Sequence, residues 1–126
     1  MNIALWVLAG VLALVFFASG AQKLTRSREQ LIASGLRFAE DFSDGAVRAI
    51  GALEILAAVG LVLPAALDLA PALVPTAAVG LVLLMIGAAV VHLRRGEGMA
   101  VLVNLGFLML AALVAAGRFG PASFTS

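Results

Sequence analysis

Four long apolar stretches dominate the chain, at about residues 3–21, 47–63, 73–93 and 99–116. Each is close to the roughly 20 residues that, at about 1.5 Å rise per residue, cross a hydrocarbon core of about 30 Å. They lack the alternating polar positions of a membrane barrel strand, and helices satisfy their own backbone hydrogen bonds in lipid. The pattern predicts an all-α membrane protein, an antiparallel bundle of four transmembrane helices that forms a single domain over residues 1–126.

The only long connection, residues 22–46, predicts a short amphipathic segment on the cytoplasmic side. Ser27 and Gln30 have the spacing of a capping box at the start of a helix, and Gly35 is expected to end it. An alternative is a disordered polar loop, but the connection contains many apolar side chains, which favour a segment lying in the headgroup region. These side chains are Leu31, Ile32, Leu36, Phe38 and Phe42.

Prolines mark the other helix ends. Pro64 is expected to close the second helix, because proline cannot donate the backbone hydrogen bond that continues it. Pro71 and Pro75 stand where the third helix is expected to begin, since proline is tolerated in a first turn.

Composition supports the membrane assignment and excludes several functions. Hydrophobic residues make up 63% of the chain and charged residues 12%, against about 45–50% and about 25% in soluble domains. A net charge of +1 without a basic aromatic patch argues against a nucleic-acid partner. With no cysteine and one histidine, disulfides, thiol catalysis and a protein-only metal site are not expected.

The distribution of Lys and Arg predicts the orientation. Seven of the eight lie in or beside the two connections after helices one and three, and Arg118 alone lies at the other side. By the positive-inside rule those connections are cytoplasmic and both termini face outward, in the plasma membrane. Trp6, Phe119 and Phe124 are then outer-interface residues. The first stretch is expected to be retained, because basic residues follow it and none precedes it.

Each helix contributes a polar residue to the cytoplasmic half of the bundle. Glu54 lies six residues past Arg48, and Asn104 six residues past Gly98, so both are roughly 9 Å deep. The other three members lie at the cytoplasmic ends of helices one and three. We call these five residues the polar cluster: Ser19, Lys23, Glu54, His92 and Asn104.

Two interpretations of the polar cluster are open. In one, Glu54 is a structural pin bonded to Lys23, Ser19 or Asn104, because an unpaired carboxylate in a bundle is costly. In the other, it is a ligand-binding or proton-handling group, with His92 and Asn104 beside it. Phe16, Met85 and Phe107 lie on the same helix faces and are expected to line an apolar pocket with a polar mouth.

Three short motifs resemble the DoxX-like family of small four-helix membrane proteins. Residues 19–24 read SGAQKL, residues 51–54 read GALE and residues 92–97 read HLRRGE. The matching positions are Gly20, Lys23, Glu54, His92 and Glu97. The resemblance covers about residues 17–104 and implies a four-helix membrane fold, which is also similar to that of vitamin K epoxide reductase. That enzyme uses cysteine pairs, so its chemistry does not transfer to this chain.

The resemblance implies two functions. The family name comes from thiosulfate:quinone oxidation and relatives are linked to redox-stress complexes, so we expect a membrane subunit that binds a quinone-like or lipid-like molecule and serves a redox or stress-response partner. Animal relatives act as assembly chaperones, so the alternative is a chaperone or scaffold for client membrane proteins. A stand-alone enzyme is less expected, because no nucleophile with a base, metal cage or nucleotide motif is evident. No covalent cofactor is expected, and a homo-oligomer is compatible with the sequence.

Overall fold

A computed structural model describes residues 2–67 and 72–120 as an all-helical chain. Four long helices, α1 Asn2–Thr25, α3 Asp44–Ala66, α4 Leu73–Arg94 and α5 Gly98–Phe119, are each long and apolar enough to cross a membrane. Between α1 and α3 lie the short helix α2 Arg28–Ala33 and a 3₁₀ helix, Arg37–Asp41. This architecture confirms the predicted fold class. Asp68, Pro71 and Phe124 lie outside the described residues.

The four long helices extend beyond the apolar stretches that predicted them, because caps and polar ends belong to the helices. The side chain of Ser43 caps α3 by accepting a hydrogen bond from the Ala46 backbone N–H at 3.1 Å. The expectation that Pro64 closes this helix is wrong, because α3 continues through Pro64 to Ala66. Pro64 lacks a backbone N–H donor, but helical hydrogen bonds resume after it, since the N–H of Leu67 bonds the Leu63 carbonyl at 3.0 Å.

Consecutive long helices run antiparallel and form a ring. Helix α1 packs most extensively on α3, and α4 on α5, while contacts of α3 with α4 and of α1 with α5 close the ring. The core side chains include Leu12, Leu61, Leu81 and Val114, all almost fully buried. We call the end of the bundle at which α1 and α4 end the polar end.

The amphipathic segment folds as its sequence predicts. The Ser27 hydroxyl accepts from the Gln30 backbone, and the Gln30 side chain accepts from the Ser27 backbone, which completes the capping box. Gly35 ends α2 with a φ of 108°, a left-handed conformation that glycine adopts without strain. Leu31 is buried with Ala39 and Val47, so the apolar face of the segment packs against the start of α3.

Candidate functional site

A buried ion pair joins α1 to α3 near the polar end. Lys23 Nζ lies 2.8 Å from Glu54 Oε1, and it donates a second hydrogen bond of 2.7 Å to the Ser19 hydroxyl, one turn earlier on α1. Lys23 is 6% exposed and Glu54 is 4% exposed. The expected contact of Glu54 with Lys23 is therefore present, and the carboxylate faces the interior of the bundle.

Two glycines allow the pair to form. A Cβ added at Gly20 would lie 2.5 Å from the Gly51 carbonyl oxygen, and one added at Gly51 would lie 2.7 Å from Lys23 Cβ. Such distances are shorter than any contact a side chain can make, so the backbones of α1 and α3 touch here. Close approach at small residues is the usual way in which membrane helices pack. It brings the Lys23 ammonium within reach of a carboxylate one helical turn along α3.

A cavity of about 1310 Å³ lies beside the ion pair. All eight residues that the sequence placed in the site line it, namely Phe16, Ser19, Lys23, Glu54, Met85, His92, Asn104 and Phe107. Its walls come from the four long helices and from the amphipathic segment, through residues 35–38 and Phe42. The structure thus brings the polar cluster and the expected lining together at one cavity, while the identity of any ligand stays a prediction.

The cavity has two parts of different shape. Near the polar end α1 and α5 contribute walls along with α3 and α4, and we call this part the chamber. The edge-to-face rings of Phe16 and Phe107, 5.3 Å apart, lie at the depth where α1 and α5 stop contributing. Beyond them the cavity continues between α3 and α4 alone, and we call this part the groove. Its lining residues include Ala57, Gly60, Leu73, Thr76, Ala77, Gly80 and Leu83.

The cavity is open at the side of the bundle. Leu53, Leu56 and Leu83 line it, yet they are 50%, 67% and 64% exposed. Exposed leucines on a membrane-spanning helix face lipid tails, so the opening leads to the hydrocarbon core. The opening lies between α3 and α4.

Asn104 places a polar group in the chamber wall without a protein partner. Its amide nitrogen Nδ2 is buried and makes no hydrogen bond to any residue in the described part of the chain. A buried donor left unpaired costs about 1–3 kcal/mol, so such groups usually have a partner. In the described part of the chain this amide nitrogen therefore forms no hydrogen bond that links helices.

His92 pairs with a residue outside the polar cluster. Its Nδ1 lies 2.7 Å from Glu97 Oε1 across the α4–α5 turn, so the histidine pairs with Glu97 and not with Glu54. The hydrogen bond with His92 lowers the pKa of the Glu97 carboxyl below its ordinary value; desolvation opposes this, and Arg95 adds to the lowering. Glu97 is therefore an anion in the folded protein near neutral pH.

Phe38 covers the polar end of the cavity, a role that the sequence did not predict. Its ring centroid lies 5.7 Å from Lys23 Nζ, 5.8 Å from the His92 ring and 6.0 Å from the Phe42 ring. A cation beside an aromatic face is attracted to its negative quadrupole. The 3₁₀ helix thus lays an aromatic cover over the ion pair, between the chamber and the aqueous side.

Two arginines hold this cover in place. Arg28 donates to the backbone carbonyls of Ala39, Glu40 and Phe42 at 2.8 to 2.9 Å, which ties α2 to the 3₁₀ helix. Arg95 bridges from the α4–α5 turn to Asp41 at 2.7 Å and to Glu40 at 3.1 Å. The hydrogen bond to Asp41 raises the pKa of the Arg95 guanidinium above its ordinary range, so this bridge stays charged.

A second polar contact, also missed by the sequence analysis, lies at the opposite end of the bundle. Arg118 is only 3% exposed and donates to Asn2 Oδ1 at 2.7 Å, with the Trp6 ring 6.0 Å away. The sequence did contain a signal for this contact. Arg118 is a lone arginine just after the last apolar stretch, and Asn2 is a polar residue just before the first apolar stretch. The contact joins α5 to α1, so it closes the ring far from the chamber.

The described residues offer no metal site. In residues 2–67 and 72–120, no group of three or more histidine and carboxylate side chains is placed to hold an ion. What the chamber presents instead is a neutralised ion pair, a free amide and aromatic walls.

Comparison with known proteins agrees with this architecture. No curated protein and no solved structure was found to match the chain. The family model described as the DoxX-like family matches residues 7–114, which cover most of the four long helices and every residue of the polar cluster. The protein is therefore a membrane protein with four apolar helices that belongs to the DoxX-like family.

Proposed function

We propose that this protein is a non-catalytic membrane subunit that binds a quinone-like or lipid-like molecule in the cavity and serves a redox or stress-response partner in the plasma membrane. The observation that carries the proposal is the cavity of about 1310 Å³, which has polar groups at one end and opens sideways to lipid. A molecule that partitions into the bilayer can enter it without crossing an aqueous phase.

The chemistry of the chamber supports a head group that accepts hydrogen bonds. Asn104 offers an amide donor, and Lys23 carries a third N–H beyond its bonds to Ser19 and Glu54. A quinone carbonyl or a lipid ester carbonyl accepts from such donors. The flat rings of Phe16 and Phe107 and the flexible thioether of Met85 provide apolar walls that adapt to a bound molecule.

The proposal is tested by native mass spectrometry of protein extracted gently from membranes. Gly87 lines the cavity and has open space where a Cβ would stand, so Gly87→Phe should fill the entrance without a backbone clash. Gly106→Phe is the matched control, because Gly106 also has open space but does not line the cavity. We expect a co-purifying quinone or lipid on the wild type and on Gly106→Phe, and its loss from Gly87→Phe. Equal occupancy in all three would contradict the proposal.

A membrane chaperone or scaffold is the second candidate. The specific observation in its favour is the side opening between α3 and α4, where Gly80 and Gly87 leave space that a partner's helix could fill. In the same experiment this function predicts a co-purifying membrane protein in place of a small molecule, and Gly87→Phe should release that protein while Gly106→Phe retains it.

A further inference from the structure

The cavity, chamber and groove together, is longer than one leaflet of the bilayer. On α4 its lining reaches from His92 at the chamber to Gly80 and Thr76, which are 12 and 16 residues away. At about 1.5 Å per residue these positions lie about 18 and 24 Å from the level of His92. Half of a hydrocarbon core is about 15 Å, so the groove crosses the midplane and continues into the opposite leaflet.

The number of helices that line the cavity changes along this length. At the chamber all four long helices form the wall, whereas beyond Phe16 and Phe107 only α3 and α4 do. Small residues, Gly60, Ala77 and Gly80, form much of the narrow part, and Gly80 has open space on its side-chain side. A polar end lined by four helices, followed by an apolar groove lined by two, fits a molecule with a single chain better than a lipid with two.

The charges that line the cavity cancel. Two cations, Lys23 and Arg37, are matched by two carboxylates, Glu54 and Glu97. The buried cation, Lys23, lies 2.8 Å from Glu54, whereas Arg37 is exposed and lies 3.7 Å from Glu40. A phosphate head group would need a cation free of such a pair, since burial of an uncompensated charge is costly. The described lining therefore favours an uncharged head.

From the length of the cavity, the helices that line it and the charges at its polar end, we infer that the ligand is an uncharged single-chain lipid whose chain crosses the bilayer midplane. Long-chain isoprenoid quinones belong to this class. The inference rests on the proposed function, because it concerns the ligand of the same cavity. Its head lies in the chamber beside Asn104, and its chain follows the groove past Gly80. A two-chain phospholipid, whose chains stay in one leaflet, is the excluded alternative.

The test is a competition between two quinones with the same ring. One carries a single isoprene unit, and the other carries a chain of about 8 or more units, which is longer than a leaflet of about 15 Å. The two are mixed with purified protein in one detergent, and native mass spectrometry gives the ratio of long-chain to short-chain complexes. Gly80→Leu should lower this ratio on the order of tenfold, because the chain loses many weak contacts at once. Short-chain binding should not change.

Controls separate the inference from the proposed function. Gly106→Leu, outside the cavity, should keep the wild-type ratio, and comparison within one detergent cancels differences in partitioning. Thr76→Leu, at the far end of the groove, serves as a second variant if Gly80→Leu does not fold. An unchanged ratio in a folded groove variant overturns the inference but leaves the proposed function standing. Displacement of both quinones by a phospholipid also overturns it. If neither quinone binds the wild type, quinone binding is rejected altogether.

Discussion

At the scale of single residues, the polar cluster divides into side chains that satisfy one another and one that does not. Lys23 contacts both Ser19 and Glu54, and His92 pairs with Glu97. Asn104 alone retains a buried donor without a partner in the described chain. The contacts of Glu54 therefore fit the structural-pin interpretation, and we propose the ligand-site interpretation for Asn104.

Glu54 should behave as the structural member. Glu54→Ala leaves the Lys23 ammonium buried without its counter-charge, and breaking such a pair typically costs about 3–5 kcal/mol. Glu54→Gln keeps a hydrogen-bonding group of similar size and should cost less. Melting temperatures of the purified variants in one detergent test this order, with Glu29→Gln as the exposed control. Equal melting temperatures for the alanine and glutamine variants would count against a structural bond.

Asn104 should behave as the ligand-facing member. Asn104→Leu removes a buried donor that has no described partner, so stability should be unchanged or higher by about 1 kcal/mol. If the amide donates to a bound head group, the same variant should lose co-purifying ligand. Thermal melting and native mass spectrometry on one preparation check both expectations. A marked loss of stability with unchanged ligand content would show that Asn104 links helices instead.

At the scale of elements, the contact of α1 with α3 depends on two glycines. Gly51→Ala would place a methyl group 2.7 Å from Lys23 Cβ and 2.9 Å from the Gly20 carbonyl oxygen, so the helices must separate. Such overpacking costs about 1–3 kcal/mol. Gly45→Ala on the same helix meets nothing within 4 Å and should stabilise α3 by about 0.5–1 kcal/mol. Opposite shifts in melting temperature are expected, and a stabilised Gly51→Ala would contradict the close approach.

The α4–α5 turn should make the polar end sensitive to acid. Folding lowers the pKa of Glu97 through His92 and Arg95, so the ionised carboxylate stabilises the folded state above its ordinary pKa of about 4.3. That stability is lost as the pH falls through the lowered, folded-state value. Melting curves from pH 7 to pH 3 should therefore fall less steeply for Glu97→Gln than for the wild type. Parallel curves for the two proteins would refute a stabilising role of Glu97.

The sequence predicted these elements better than it predicted the contacts between them. Hydropathy and depth along each helix were sufficient to find the four spans and to bring eight lining residues to one cavity, because both follow from the 1.5 Å rise. The position of Phe38 could not be predicted, since it depends on how a connection of irregular structure folds back over the bundle. The pairing of His92 with Glu97 likewise could not be predicted, since it depends on the geometry of the tight α4–α5 turn.

At the scale of the whole molecule, the distribution of basic residues makes orientation the simplest property to test. The connection between α1 and α3 and the α4–α5 turn carry most of the Lys and Arg residues. We therefore expect this end of the bundle in the cytoplasm and both termini outside. A periplasmic reporter fused after Ser126 should be active and a cytoplasmic reporter inactive. Activity of the cytoplasmic reporter alone would reverse the orientation and place the chamber in the outer leaflet.

The pairing of Lys23 with Glu54 also bears on how the protein responds to an energised membrane. Transfer of one elementary charge across the full bilayer changes its energy by about 2.3 kcal/mol per 100 mV. The ion pair has no net charge, and if the ligand is uncharged, its entry from the bilayer moves none. Occupancy of the cavity should then be the same in polarised and depolarised vesicles, so the protein would report the abundance of its ligand independently of the cell's energetic state.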